Sequence, residues 1–437
     1  MKRSILPTLL PAHQQALLPT RRSAAQSAAQ SVLHSVLHSV LLSAIVQSLL
    51  WIFLLSISGS LQAQNSLEAV LKEIETQNLS LKALRMQADA EKIGNKTSLF
   101  LQDPEVAFHY LWGNPSGMGN RTDFSIQQAF NLPPVYRLQQ QIAGLKNEQA
   151  ELVYQKALLE VRHLTSTLCY QLIYTHAMMG ELGKRAAHAE ELAVMYKAKL
   201  ERGESSLPDY NKAQLSRLQA TQAVERLRIE KNQLLAQLAQ LNGGESIAIP
   251  DTLFPVRTLP SEFSEWYREA AGENPLLGWL QKEVEIGQKE ARLSRARSLP
   301  TWHTGYMSES VPGESFRGVE LGMSIPLWEN KNQVKYAEAA AKARESSSDN
   351  RKQQFYLQLK ALHEKAISLK QSAENYRSQL QLLDHTPLLR KALNAGQISL
   401  IEYLTELSLY YEGVATRFEL ERDFYLAVAE LDYPHSF

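Results

Sequence analysis

The chain contains one series of landmarks twice, in the same order and at a nearly constant separation. Three pairs lie 196 residues apart: Asn78 and Asn274, Pro104 and Pro300, and Tyr110 and Tyr306. A motif of the form Gly-x-x-Ser-Leu-x-acidic-Tyr then occurs at 203–210 and again at 396–403, a separation of 193 residues. Self-similarity at a fixed spacing indicates one structural unit present in two copies. The chain is therefore predicted to be a tandem duplication.

Each copy has the pattern helix, strand, strand, very long helix, tight break, helix. The first copy is assigned to residues 64–241 and the second to residues 261–433. Residues 242–260 are rich in Gly and Pro, which predicts a linker, and residues 434–437 form a short tail.

The long helices carry apolar residues at alternating spacings of four and three. From Tyr136 to Leu200 this predicts one helix of about 98 Å at 1.5 Å per residue, which is typical of a coiled coil rather than of a globular core. On the first long helix a row with a spacing of seven residues contains Leu138, Leu145, Leu152, Leu159 and Ile173, interrupted by Ser166. The second copy has Phe355, Leu359, Leu362, Ala366, Leu369, Ala373, Tyr376, Leu380 and Leu383. After its break the row continues with Leu400, Leu404, Leu407, Tyr411, Val414, Phe418, Tyr425 and Val428, with Glu421 as the exception.

Segments with a period of two lie between the helices. The apolar alternation covers 106–112 and 122–130 in the first copy, and 302–306 and 319–327 in the second. Strands of about ten residues with aromatic residues near their ends are typical of membrane β-barrels. The joining loops are predicted at Gly113–Arg121 and Ser308–Ser315. Four strands cannot close a barrel in lipid, where open edges are not tolerated, so several chains must contribute; three chains of four strands would supply twelve.

The N-terminus resembles a secretory leader. Basic residues precede an apolar core at 40–57, and small and polar residues follow, with cleavage expected after Ala63. An uncleaved membrane anchor is the alternative, because about 18 apolar residues can just span a bilayer. Residues 1–63 are assigned to a signal peptide, and the sequence beyond them contains no further apolar run long enough for a transmembrane helix.

Composition and motifs argue against other classes of protein. The 46 basic and 46 acidic residues leave no excess positive charge for a nucleic-acid partner. No phosphate-binding loop, nucleophile motif or metal-ligand cluster is recognisable, so neither an enzyme nor a cofactor is expected. The single cysteine, Cys169, is expected to be buried. A periplasmic coiled-coil adaptor or structural protein is the alternative, but it would have one hairpin and no period-two segments between helices.

The two repeats behind a leader resemble the TolC-like outer-membrane efflux protein family. The resemblance extends over almost the whole mature chain, and its most specific residues are those of the two Gly-x-x-Ser-Leu-x-acidic-Tyr motifs. It implies a mainly α fold with a small membrane β part: twelve strands in the outer membrane and twelve helices through the periplasm of a homotrimer. It also implies a periplasmic adaptor and an inner-membrane pump as partners, and outer-membrane lipid around the strands.

Turn residues mark the ends of the helices. Pro133, Pro134 and Pro326 should end the strand ladders and begin the long helices, because proline lacks the N–H that a ladder needs. Gly203 and Gly396 can adopt the left-handed conformation that ends a helix, and Ser206 and Ser399 can cap the next one. The resemblance makes these turns the periplasmic tips, with adaptor-docking residues Gly203, Ser206, Leu207, Gly396, Ser399 and Leu400.

Acidic residues beyond the second tip line the closed end of the tunnel in the family. The corresponding positions are Glu402 and Thr405, with Glu406 and Asp209 as further candidates. A threefold ring of Glu402 carboxylates would favour cations, and a solvated helix face is the alternative. The resemblance implies a passive duct for small molecules or metal ions, with the duct of a type I protein secretion system as the other possibility.

Overall fold

The computed structural model describes residues 67–247, 249, 253–272, 274–328 and 330–434, which are predominantly helical with one antiparallel sheet. The predicted leader at 1–63 and the end of the tail lie outside these residues. Among the described residues, no helix combines the length and apolar character needed to cross a membrane.

The order of elements repeats. Residues 67–77 are helical and are called α1. The following elements are α2 (Leu79–Gly94), β1 (Glu105–Leu111), β2 (Arg121–Phe130), α3 (Pro133–Glu201), α4 (Leu207–Leu241), α5 (Phe263–Gly272), α6 (Pro275–Arg297), β3 (Thr301–Val311), β4 (Glu314–Ser324), α7 (Gln333–Leu382), α8 (Thr386–Asn394) and α9 (Leu400–Asp432). Helix α2 ends at Gly94, and a single 3-10 turn at Thr97–Leu99 follows it.

Helix α3 is one continuous helix of 69 residues, as predicted. Pro133 and Pro134 occupy its first positions, where the missing N–H groups would have had no helical partner. The core consists of several small clusters between the helices rather than one globular centre, and some of them include α3. Near the sheet, Ile142 and Leu145 pack against Ile286 and Leu293 of α6; further along, Leu168 and Leu172 pack against Leu234 and Leu238 of α4.

The second long helix differs from the prediction. Instead of running on to the tip, it ends at Leu382, and the short helix α8 follows after three residues. Pro387 explains the break, because proline has no N–H to donate to the preceding turn and its ring would clash with the carbonyl four residues earlier. The Asp384 carboxylate accepts hydrogen bonds from the Thr386 N–H and hydroxyl, at 3.2 and 2.8 Å. Leu383, predicted to lie in the apolar row, is consequently exposed.

The four strands form one sheet in the order β1-β2-β3-β4, with every neighbouring pair antiparallel. The predicted loop at Ser308–Ser315 is wrong, because β3 and β4 extend through it and only Pro312 and Gly313 remain between them. Gly313 has φ of +90°, which a tight hairpin requires and which glycine adopts without strain. Strand β4 extends from Glu314 to Ser324, so the strand predicted at 319–327 begins five residues and ends three residues too late.

Asn78 and Asn274 have equivalent places in the two repeats. Each caps its helix through Oδ1, which accepts from the N–H of Leu81 at 2.9 Å or of Leu276 at 3.0 Å. Each also donates from Nδ2 to a carbonyl just where the last helix of its own repeat ends: Leu241 at 2.9 Å and Pro434 at 2.7 Å. Both side chains are buried, so each asparagine joins the beginning and the end of its repeat.

We expect Asn274→Ala to lower the stability by about 2–4 kcal/mol, because it removes a helix cap and leaves the Pro434 carbonyl unpaired. Asn274→Ser should recover about 1 kcal/mol, since serine caps well but cannot reach that carbonyl. The midpoint of thermal unfolding, followed by circular dichroism, measures both effects. Equal midpoints for Asn274→Ser and the wild type would show that the hydrogen bond to Pro434 contributes nothing.

Candidate functional site

The two faces of the sheet differ in chemistry. Paired residues of antiparallel strands share a face, and the register places aliphatic and aromatic side chains together on one of them: Val106, Phe108, Tyr110, Phe124, Ile126, Tyr306, Val319, Leu321 and Met323. All nine are exposed, and Val319 keeps 88% of its surface and Leu321 71%. Such a contiguous apolar surface is not expected to face water.

The opposite face of the sheet is mainly polar, with Met307 and Phe316 as apolar exceptions, and its polar side chains contact one another across strands. Gln127 donates to a Glu320 carboxylate oxygen at 2.8 Å, and His303 Nε2 lies 3.5 Å from the other oxygen. Arg121 contacts Asp123 at 2.8 Å and Glu309 at 3.2 Å. The sheet therefore has an apolar side and a hydrated side, which suits a wall between lipid and water.

The junction between β2 and α3 differs from the junction between β4 and α7. Pro133 and Pro134 begin α3 directly after β2, as predicted. Pro326 follows the end of β4, but α7 begins only at Gln333, after Asn332 in the left-handed conformation with φ of +66°. The prediction that Pro326 begins a helix is therefore wrong, because the proline lies well before the first turn of α7.

The two predicted tips have the same backbone. Gly203, with φ of +76°, and Gly396, with φ of +69°, each end a helix in the left-handed conformation. Two reversed hydrogen bonds close each end: Glu204 N–H to Lys199 and Gly203 N–H to Leu200 at the first, and Gln397 N–H to Ala392 and Gly396 N–H to Leu393 at the second. This is the hydrogen-bond pattern of the Schellman motif.

Each tip serine caps the following helix, as predicted. The Ser206 hydroxyl oxygen accepts from the Asp209 N–H at 3.3 Å, and the hydroxyl donates to the Asp209 carboxylate at 2.6 Å. The Ser399 hydroxyl oxygen accepts from the Glu402 N–H, and the Ser399 N–H donates to the Glu402 carboxylate at 2.8 Å. The second arrangement is a complete capping box.

Side-chain burial distinguishes the tips. Leu207 is 58% exposed, whereas Leu400 is 3% exposed and packs against Tyr196 and Ala213. Leu207 is accessible at the surface, and its docking role stays a prediction. Leu400, however, forms part of the core between α3, α4 and α9, so it presents no surface for a partner in this conformation. Gly203, Ser206, Gly396 and Ser399 are all exposed.

The predicted gate residues lie near the tips. Glu402, Thr405 and Glu406 are exposed on the first turns of α9, and Asp209 is half-buried on the first turn of α4. The Ser399 backbone N–H, followed by its hydroxyl, lowers the pKa of Glu402. The Ser206 hydroxyl, with a smaller effect from Lys212, lowers the pKa of Asp209. Both carboxylates are therefore ionised at neutral pH, and both also contact the serine that caps their helix.

Polar contacts that the sequence did not reveal attach α8 and α9 to α3. His188 Nε2 lies 2.6 Å from the Tyr403 hydroxyl, and Arg390 contacts Glu191 at 2.6 Å. Arg185 donates to the Tyr411 carbonyl at 3.0 Å, with its guanidinium 4.1 Å from the Tyr411 ring centre. The partners lie about 200 residues or more apart in the chain, so no local pattern could have paired them.

His188 should make this attachment depend on pH. Burial, followed by the nearby Arg390, lowers the pKa of His188 from its ordinary 6.5, while Glu191 opposes the shift. The neutral form is therefore favoured in the fold, and its stabilising contribution is present above pH 6.5 and is lost as the pH falls through the lower folded value. The Tm of the wild type should fall across this window, and that of His188→Phe should fall less. His385→Gln, which changes an exposed histidine, is the control; an unchanged slope in His188→Phe would contradict the assignment.

Solved structures of channels share this fold. No protein-family model matches the sequence, and no curated protein matches it either. The chain is similar to the Campylobacter jejuni CmeC outer membrane channel, with 15% identity, a TM-score of 0.68 and 85% of each chain covered. It is similar to the Vibrio cholerae outer membrane protein VceC, with 12% identity, a TM-score of 0.71 and coverage of 86% of this chain and 97% of that chain. It is also similar to the open state of the Neisseria gonorrhoeae MtrE outer membrane channel, with 12% identity, a TM-score of 0.66 and coverage of 84% of this chain and 88% of that chain.

The three matches cover 84–86% of this chain. At such low identity the similarity concerns the fold, and it agrees with the resemblance that the two repeats indicate. The chain has the fold of the TolC-like outer-membrane efflux channels.

Proposed function

We propose that this chain is one protomer of a homotrimeric duct that conducts exported substrate passively across the periplasm and the outer membrane. The observation that carries the proposal is the two-sided sheet, whose exposed apolar face and polar opposite face are what a barrel wall between lipid and water needs. The same chain continues from this sheet into a helix of 69 residues, long enough to extend about 100 Å away from the membrane.

The edges of the sheet favour closure by further copies. Within the part of the chain that the structure describes, strands β1 and β4 each have one neighbour, so each leaves one row of N–H and C=O groups for another partner. Open edges are not tolerated in lipid. Pairing β4 of one copy with β1 of the next uses both rows, and three copies of four strands give a barrel of twelve.

Helix α2 offers a second surface for assembly. One face of α2 carries apolar residues at spacings of four and three, here named the α2 seam: Leu79, Ala83, Met86, Ala90 and Ile93. Leu79, Met86 and Ile93 are 65%, 73% and 69% exposed. A regular row of exposed apolar residues with this spacing is expected to pack against another helix.

The internal repeat indicates which helix that is. Helix α6 is the counterpart of α2, and it packs against both α7 of its own repeat and α3 of the other repeat. Helix α2 packs against α3 of its own repeat. If assembly continues the relation between the repeats, the α2 seam faces α7 of the neighbouring copy. The contact between α2 of one copy and α7 of the next then corresponds to the contact between α6 and α3 within one chain.

The proposed partners are a periplasmic adaptor that docks at the tips and an inner-membrane pump. The proposed cargo is small molecules or metal ions, and a duct for type I protein secretion is the second candidate. The alternative of a coiled-coil adaptor is less well supported, because it does not account for a four-stranded sheet with an exposed apolar face.

Purified full-length protein tests the proposal. We expect a mature chain that begins near Gln64, fractionates with the outer membrane and has three times the chain mass by native mass spectrometry. In planar bilayers it should form discrete conducting channels. A stable membrane-inserted monomer without conductance would contradict the duct, and retention of residues 40–57 in the inner membrane would favour the anchor.

Glu402→Gln tests the gate. Glutamine can still accept the hydrogen bond from the Ser399 N–H and so keeps the capping box, but three charges are lost from each trimer. We expect the cation preference and the block by multivalent cations to fall while trimer formation stays intact. Glu402→Ala is less informative, because it also weakens the cap by about 1 kcal/mol. Glu201→Gln, at the end of α3, is the control. Unchanged selectivity in Glu402→Gln would place this carboxylate outside the pore.

A further inference from the structure

A groove of about 600 Å³ lies near the tips between α3, α4 and α9. Its walls are mainly aliphatic, with Leu192 and Leu407 buried and Leu215, Ile401 and Leu409 between 52% and 61% exposed. A concave, mostly apolar space of this size with a few polar groups is typical of sites for small organic molecules.

The charged groups around the groove are arranged by sign. Arg185 and Lys212 line it, whereas none of its lining residues is acidic. The carboxylates that balance these cations stand outside the lining: Glu181 lies 3.4 Å from Arg185, and Asp209 lies 3.4 Å from Lys212. Each ion pair thus contributes its cation, and not its carboxylate, to the walls of the groove.

The third basic residue of the lining adds little charge at neutral pH. Burial lowers the pKa of His188, whose Nε2 is also 2.6 Å from the Tyr403 hydroxyl. The hydroxyls of Ser216, Thr405 and Ser408 and the Gln219 amide supply further hydrogen-bonding groups. The groove therefore combines two cationic groups and neutral polar groups with an apolar surface.

We propose that this groove binds amphiphilic organic anions, meaning molecules with an apolar ring system or chain and one carboxylate or sulfonate. The apolar part would cover the leucines, and the acid group would pair with Lys212, which keeps 40% of its side-chain surface exposed. The location within a duct rests on the proposed function: Thr405, predicted to line the pore, is part of the groove wall, so a molecule in transit would meet the site.

Two fluorescent probes that differ by one charge test the proposal. 8-Anilinonaphthalene-1-sulfonate carries the anion, and N-phenyl-1-naphthylamine has the same rings without it. With full-length trimer in lipid nanodiscs, Lys212→Met should weaken binding of the sulfonate about tenfold, because a charge-assisted hydrogen bond is lost. Binding of the neutral probe should stay the same. Lys231→Met, about five turns further along α4, should alter neither.

A second pair of variants tests the place of binding. Ala220→Trp puts a large ring into the groove wall and should abolish binding of both probes, whereas Gln222→Trp on the exposed surface should not. Equal affinity for both probes in the wild type and in Lys212→Met would overturn the proposal. Loss of the trimer in Ala220→Trp would overturn it too, by showing that a neighbouring copy fills the groove. Conductance of Lys212→Met distinguishes the groove proposal from the duct proposal. Conductance without sulfonate binding would leave the duct proposal standing, and sulfonate binding without conductance would leave the groove proposal standing.

Discussion

Met86→Glu should abolish the trimer and leave a folded, non-conducting monomer. Met86 is at the centre of the α2 seam and 73% exposed, so within the chain it has little contact to lose. In the proposed assembly it is covered by α7 of the next copy. At each interface the substitution then loses about 1.5–3 kcal/mol of free energy from burial of the methionine side chain, and it also removes a carboxylate from water. A closed trimer contains this interface three times, so the losses add up.

Native mass spectrometry of Met86→Glu measures the assembly, and circular dichroism measures the helix content of the released chain. Ser80→Glu is the matched control, because Ser80 is exposed on α2 but is not part of the α2 seam. We expect Ser80→Glu to remain trimeric. A trimeric Met86→Glu protein would mean that the seam faces solvent, and that the relation between α3 and α6 is not continued between copies.

The seam also illustrates what the sequence can and cannot predict. Spacings of four and three identify helices and their apolar rows, and Phe355, Leu359, Ala366 and Ala373 of α7 are buried as predicted. The same spacing at Leu383 predicted burial and was wrong, because Pro387 ends the register a few residues further on. Periodicity identifies the residues on the apolar face of a helix, but a single proline determines where that helix ends.

For the strands, too, the sequence predicts some features correctly and others not. Alternation of apolar and polar residues correctly identified the four strands and the two faces of the sheet. The hairpin between β3 and β4 was predicted too long because Ser308, Ser310 and Ser315 suggest a loop by composition. Once the register is fixed, Ser308 pairs with Arg317 and Ser310 with Ser315. Cross-strand pairing outweighs the local preference of these residues.

At the tips, the backbone was predictable and the side-chain environment was not. Glycine and serine at fixed offsets specify the helix end and the cap from local physics alone. Whether the following leucine is exposed, as Leu207 is, or buried, as Leu400 is, depends on helices from other parts of the chain. The contact between His188 and Tyr403 joins residues 215 positions apart, and no local rule predicts it.

Val319→Arg should prevent assembly in the outer membrane. Val319 lies at the middle of β4 on the apolar face, keeps 88% of its surface exposed and pairs with Tyr306. If this face contacts lipid, an arginine near the midplane costs about 2–4 kcal/mol per strand. Three copies in one barrel would raise the cost to roughly 6–12 kcal/mol, which is comparable to the whole stability of a typical domain.

Ala107→Arg is the control for this substitution. Ala107 lies near the middle of β1, where it pairs with Ser125, on the polar face of the sheet. An arginine there would face water, so the protein should still reach the outer membrane, with at most a change in conductance. Fractionation and the amount of heat-stable trimer measure both variants. If Val319→Arg accumulates in the outer membrane as well as Ala107→Arg does, the apolar face is not in contact with lipid, and the sheet must have another partner.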